Sequence, residues 1–303
     1  MFTRCLLAAV AALALAPAAR AQEPFTRTDD VIYGRKFGLA MTMDVFAPKD
    51  PKKANGLGII WCVSGGWVSN KAGGIGPGQE FVNRGYTVFA VTHGSQPKFT
   101  IPEVLEDMHR AVRFIKANAK KYNVDPDKLG IAGGSAGGHL SLMQGCAPKD
   151  GDPKAADPVN RLSSKVAAVA CFFPPTDFLN YGKEGHVALG EGTLKAFRPP
   201  FDFWERDRET NKLVVIEDQE RRKAIGKQIS PITHVTKDAA PALIIHGDAD
   251  LLVPIQQAEV IIAKFKEHKV PCELAVRKGA GHGGAAFAND AKTLADWFDK
   301  YLK

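Results

Sequence analysis

Cysteine is scarce in this chain, with five among 303 residues, and no two form a Cys-x-x-Cys pair or a metal-ligand spacing. That excludes zinc modules, thioredoxin-like redox sites and a dense disulfide framework. Beyond the first 21 residues no apolar run is long enough to cross a bilayer, so no stable membrane anchor is expected. Internal repeats and low-complexity tracts are absent from the sequence. So is any block of one charge: 40 Lys and Arg are interspersed with 33 Asp and Glu, giving a formal +7 to which Arg4 and Arg20 contribute two. Such a balance reads as a solvated surface, and nucleic acid is not expected as a partner.

What is present begins with an export signal. Arg4 supplies a positive start, Leu6 to Leu15 form a short apolar run, and Ala19-Arg20-Ala21 fits a small-x-small cleavage site. Residues 1–21 are therefore read as a signal peptide, with the mature protein in a periplasm or outside the cell. Cys5 precedes the apolar run and is misplaced for lipid attachment. Of the remaining cysteines, Cys62, Cys146, Cys171 and Cys272, buried free thiols are expected, although export permits one disulfide. The length suits one large α/β domain, placed at 22–303.

Apolar runs and periodic stretches alternate along this domain. Residues 31–35 and 41–46 read as a hairpin, and 58–63 and 86–91 as strands buried on both faces. Pro102 opens an amphipathic helix with Val104, Leu105, Met108, Val112 and Ile115 on one face. Further strands are expected at 129–132, 166–173, 241–246 and 272–277, with helices at 79–84, 139–144, 254–268 and 285–302. Alternation of this kind implies a mostly parallel sheet covered by helices on both faces. Between about 177 and 236 the pattern breaks into an aromatic-rich stretch and a charged, helix-like one at 205–228. A cap-like insertion before the next strand accounts for this, its aromatics serving either a substrate pocket or the packing of the cap.

The chemistry centres on Gly133-Gly134-Ser135-Ala136-Gly137-Gly138, set between an apolar strand and a helix-prone run. This is the context of a Gly-x-Ser-x-Gly nucleophile elbow, in which a sharp turn lifts a serine hydroxyl to the edge of the sheet. A serine hydroxyl is a weak nucleophile, so it requires a base and an orienting acid. Asp250 and His282 each follow an apolar strand, at the carboxyl edge where parallel sheets place their sites. The order Ser135, Asp250, His282 is that of an α/β-hydrolase triad. Oxyanion donors are expected from the amide of Ala136 and from Gly65 and Gly66 in the loop after the third strand. Trp67, His93, His186 and Trp204 are candidates for a substrate pocket. Asp248 is assigned to the turn, His246 to packing at its strand end, and His139 to a position facing away from the elbow. Solvated surroundings are expected for His109, His234 and His268.

These residues carry a resemblance. Ser64-Gly65-Gly66-Trp67, the helix from Glu106 to Ile115, Asp125-Pro126 leading into the elbow, and the loops around Asp250 and His282 resemble the α/β-hydrolase superfamily. The likeness is to its esterase/lipase branch, related to feruloyl and acetylxylan esterases and to the prolyl oligopeptidase catalytic domain. It departs from the family pattern where His-Gly-Gly-Gly-Trp is expected and Val63-Ser64-Gly65-Gly66-Trp67 stands, without the loop-bracing histidine. A Tyr-Arg pair is likewise replaced by Thr92-His93-Gly94. The resemblance implies a serine esterase acting on a small-molecule or polysaccharide-linked ester, with no metal or organic cofactor, and the export signal places it outside the cytoplasm. Two alternatives are a prolyl-oligopeptidase-like peptidase and a non-catalytic binding protein on the same scaffold.

Overall fold

Period-two alternation builds the centre of the molecule. The computed structural model describes residues 24–71 and 75–303, so the signal-peptide reading of 1–21 lies outside the described residues. Among the described residues there are ten strands: β1 (Phe25–Lys36), β2 (Leu39–Pro48), β3 (Gly58–Cys62), β4 (Thr87–Val91), β5 (Leu129–Gly134), β6 (Ala168–Phe172), β7 (Trp204–Arg206), β8 (Leu213–Val215), β9 (Ala242–Gly247) and β10 (Cys272–Arg277). Eight of them form one sheet in the order β1-β2-β4-β3-β5-β6-β9-β10. Pairing is antiparallel from β1 through β2 to β4 and parallel from there on. The β1–β2 hairpin closes through Phe37 and Gly38, both at positive φ, as a two-residue turn between right-twisted strands requires.

Successive strand residues enter opposite cores. Ile60, Phe89, Ile131, Val169 and Ile244 face one side, while Ile59, Val88, Ala132, Ala170 and Ile245 face the other. The first core is covered by α2 (Ile101–Ala117) and α4 (Ala136–Cys146), the second by α1 (Gly78–Asn83) and α7 (Asp290–Leu302). A four-residue helix, α3 (Ala119–Tyr122), follows α2; α5 (Gln219–Gln228) lies in the insertion, and α6 (Gln256–Glu267) packs on the first core. At α2, the amide of Thr100 donates to the Glu103 carboxylate at 2.9 Å, which fixes the helix start one residue before Pro102.

Two expected helices are shorter than the sequence suggests. The charged stretch 205–228 is helical only in α5, because Asp207 and Asn211 turn the chain back between β7 and β8. The final helix starts at Asp290, after a 3₁₀ turn at Ala285–Phe287. All eleven residues of α4 are buried. The sheet covers one side of α4 and the insertion packs on the other, where Phe178, Leu189 and Ile229 join the same core. All four described cysteines are free.

Candidate active site

Ser135 makes the turn between β5 and α4 alone. Its φ of 54° and ψ of −121° lie outside the ordinary regions for an L-residue, a strain of order 1–3 kcal/mol that the surroundings must hold. They do so through two bonds: the Ser135 amide donates to the Phe172 carbonyl at 3.0 Å, and its carbonyl accepts from the His139 amide at 2.9 Å. The flanking glycines are required by space. A Cβ on Gly133 would stand 2.6 Å from the Gly137 backbone, and one on Gly137 would stand 2.8 Å from the Cys62 carbonyl.

The ends of β9 and β10 bring the other two residues to this point. Ser135 Oγ donates to His282 Nε2 at 2.9 Å, and His282 Nδ1 donates to Asp250 Oδ2 at 2.7 Å. The other carboxylate oxygen of Asp250 accepts the amides of Leu252 and Val253, each at 2.9 Å. Burial alone would raise the pKa of this carboxyl. The nearby His246 ring and the hydrogen bonds from His282 and the Val253 amide outweigh burial and hold it well below the usual carboxylate range. His246 donates from Nε2 to the Val253 carbonyl at 2.8 Å and lies 3.5 Å from Asp250 Oδ2. Asp248 takes the Gly279 amide at 2.5 Å and so ties the two loops together.

The loop after β3 corrects one expectation. The Gly65 amide donates to the Val68 carbonyl at 2.9 Å, with a reciprocal bond from Val68 to Gly65. Gly66 and Trp67 occupy the centre of this tight turn at φ of 54° and 59°. Gly65 is therefore engaged within the turn and is not an available donor. Among the described residues, the amides of Gly66 and Ala136 have no protein acceptor.

Trp67 and His93 also lie elsewhere than expected. Trp67 is 2% exposed, so it is a core residue and not part of a pocket. Its indole donates to His139 Nδ1 at 3.2 Å, and its ring packs against Phe178 and Phe201 of the insertion. His139 Nε2 in turn donates to the Ile229 carbonyl at 2.7 Å, which fixes the neutral tautomer. His93, also buried, donates from Nδ1 to the Gly94 carbonyl at 2.7 Å and accepts the Ser64 hydroxyl on Nε2 at 2.8 Å. The imidazole missing from the loop itself is thus supplied from the end of β4. Burial lowers the pKa of both histidines to about 4.

A cleft of about 660 Å³ opens over Ser135, Gly66 and His282. Its apolar walls are Val68, Phe173, Phe197 and Leu252, with Asn70 and Lys71 also lining it. None of the four expected pocket residues lines it: Trp67 and His93 are buried behind the turn, His186 packs on Gly192, and Trp204 sits half-buried in β7. The insertion reaches the cleft through Phe197, whose ring lies so close to Gly66 that a Cβ there would stand 2.7 Å from it. Phe173 immediately follows β6, at the same carboxyl edge that singled out Asp250 and His282, and the same rule would have found it. His109 is buried and paired with Ser164 at 2.9 Å, contrary to the solvated setting expected for it.

The BD-FAE family model matches residues 43–265, well over half of the chain. The chain belongs to the BD-FAE family. The match includes Ser135 and Asp250 and ends before His282. This BD-FAE chain is 27% identical over 251 residues to the probable carboxylic ester hydrolase LipM of Mycobacterium tuberculosis, covering 82% of this chain and 54% of that protein. It is also 27% identical over 247 residues to esterase LipC of the same organism, covering 80% and 57%. The chain thus spans little more than half the length of these curated relatives. Among solved structures, a truncated carbohydrate esterase from gut microbiota superposes with a TM-score of 0.76 at 25% identity, covering 93% of this chain and 98% of that one. The acetyl ester-xyloside bifunctional hydrolase of Caldicellulosiruptor lactoaceticus gives 0.71 at 20% identity, with 93% and 98% covered. The fold is that of the α/β-hydrolase esterases.

Proposed function

We propose that the protein is an exported serine hydrolase that cleaves carboxylic esters, on acylated carbohydrate, through an acyl-enzyme. The observation that carries this reading is the unbroken hydrogen-bonded chain from Ser135 Oγ through the His282 ring to Asp250, opening into a cleft beside two free amides. His282 Nε2 takes the proton of Ser135 as Oγ bonds to the ester carbon. The carbonyl electron pair moves to oxygen, where the amides of Gly66 and Ala136 donate to it. As the intermediate collapses, the ester C–O bond breaks and the leaving alkoxide receives the proton from His282. Water, deprotonated by the same imidazole, then releases the acid and restores Ser135. Asp250 remains ionised throughout and stabilises the imidazolium. The esterases and carbohydrate esterases among the similar proteins support the substrate class. The charged and apolar N-terminal run supports export.

With p-nitrophenyl acetate the purified protein should release a burst of nitrophenol equal to the enzyme concentration. Ser135→Ala should lose roughly 10³-fold or more in kcat, and a fluorophosphonate should label Ser135. Retention of full activity by Ser135→Ala would remove the reading. Acetylated xylan tests the carbohydrate part, and recovery of a chain beginning at Gln22 outside the cytoplasm tests export.

A further inference from the structure

A second cavity of about 480 Å³ lies on the far side of the His282 loop. Its apolar surface comes from Phe172, Phe287, Ala288 and Ala291, and its rim from Gln79 and Asn83. Glu80, also on the rim, is paired with Arg84 at 2.8 Å, and no Lys or Arg stands among the described residues that line the cavity. One side chain borders both this cavity and the catalytic cleft: Phe173. Its ring lies 4.5 Å from the His282 ring, centroid to centroid, and 5.1 Å from that of Phe287. His282 lines the cleft and the adjacent Gly283 lines the second cavity, so Phe173 and this backbone step form the shared wall. Phe173 also carries a φ of 35°, a left-handed backbone that a phenylalanine adopts only under constraint.

We propose that Phe173 is a specificity-determining partition, and that the cavity behind it is an extension subsite for an uncharged alkyl or aryl group of the ester. This proposal rests on the ester-hydrolase reading above. With the ring in place, the catalytic cleft ends at Phe173 and short groups are favoured. Removing the ring joins the two cavities beside the reacting bond.

The test uses the mature protein with two substrate series: p-nitrophenyl esters from acetate to octanoate, and acetate esters of alcohols of increasing length. Phe173→Gly removes the ring and also relieves the left-handed backbone. Acetate hydrolysis that depends on Ser135 tests the catalytic reading separately. The proposal is read from the ratio of kcat/KM for long over short esters, in which any loss from the missing His282 contact cancels. A rise of about tenfold or more is expected, in the first series if the cavity takes the acyl chain and in the second if it takes the alcohol. Refilling the cavity, in Phe173→Gly combined with Ala291→Phe, should abolish the rise. An unchanged ratio in both series, or a rise that survives the refilling, overturns the proposal. If the glycine variant does not fold, Phe173→Ala replaces it under the same criteria.

Discussion

At Trp67 a left-handed backbone and a buried indole meet in one residue. The backbone places Gly66 so that its amide points free of the turn, and the indole holds that arrangement by donating to His139 and packing on Phe178 and Phe201. Trp67→Phe keeps most of the ring but leaves His139 Nδ1 buried without a donor. A stability loss of about 1–3 kcal/mol in guanidinium titration is expected from the unsatisfied acceptor. On the proposed mechanism the Gly66 amide donates to the transition state, so its displacement should lower kcat about tenfold with KM little changed. A change confined to KM would place Trp67 outside the catalytic geometry. The sequence did not reveal this role, since a tryptophan after two glycines looks the same whether its ring faces a cleft or the core. Likewise, nothing in Gly65-Gly66 says which amide the turn consumes; only the Gly65–Val68 pairing decides it.

Among the elements, the elbow was the most legible, because several independent constraints coincide in a few residues. Gly133 and Gly137 are demanded by contact between β5, α4 and β3, and the sequence spacing shows it directly. Gly134 is different: a Cβ there would meet nothing nearer than 3.6 Å. Gly137→Ala should therefore cost about 1–3 kcal/mol as its methyl pushes on the Cys62 carbonyl. Gly134→Ala should be nearly neutral in melting temperature, and equal losses in thermal unfolding would contradict the steric account. The parallel strands were legible for a similar reason, since residues buried on both faces form unbroken apolar runs. The short β7–β8 hairpin was not. Its strands are three residues each, its residues Leu213, Val214 and Val215 are exposed, and its charged turn imitates a solvated helix. Phe197 was missed because an aromatic in an insertion carries no periodic mark of where it faces, whereas Phe173 carried the strand-end signal and only its apolar character led it to be read as the last residue of the strand.

For the whole molecule, buried imidazoles set the response to acid. Burial lowers the pKa of His93, His109 and His139 to about 4 from an ordinary value of 6.5. Between these values the folded chain keeps all three neutral, while the unfolded chain protonates them. The unfolded state therefore binds more protons, and stability falls as pH drops from 6.5 towards 4. Asp250, held below its ordinary range, adds a loss in the same direction at still lower pH. Denaturant titrations across this window should show proton uptake on unfolding, and a flat stability curve would contradict the burial of these rings.

The four free thiols have a consequence of their own. Cys62, Cys146 and Cys171 are enclosed between the sheet and α4, and burial raises the pKa of Cys62 and Cys146 to about 12, so neither ionises to attack a disulfide. The interior of the fold is thus redox-blind: its three enclosed thiols gain nothing from an oxidant and lose nothing to glutathione, and only the half-buried Cys272 on β10 is left within reach of either.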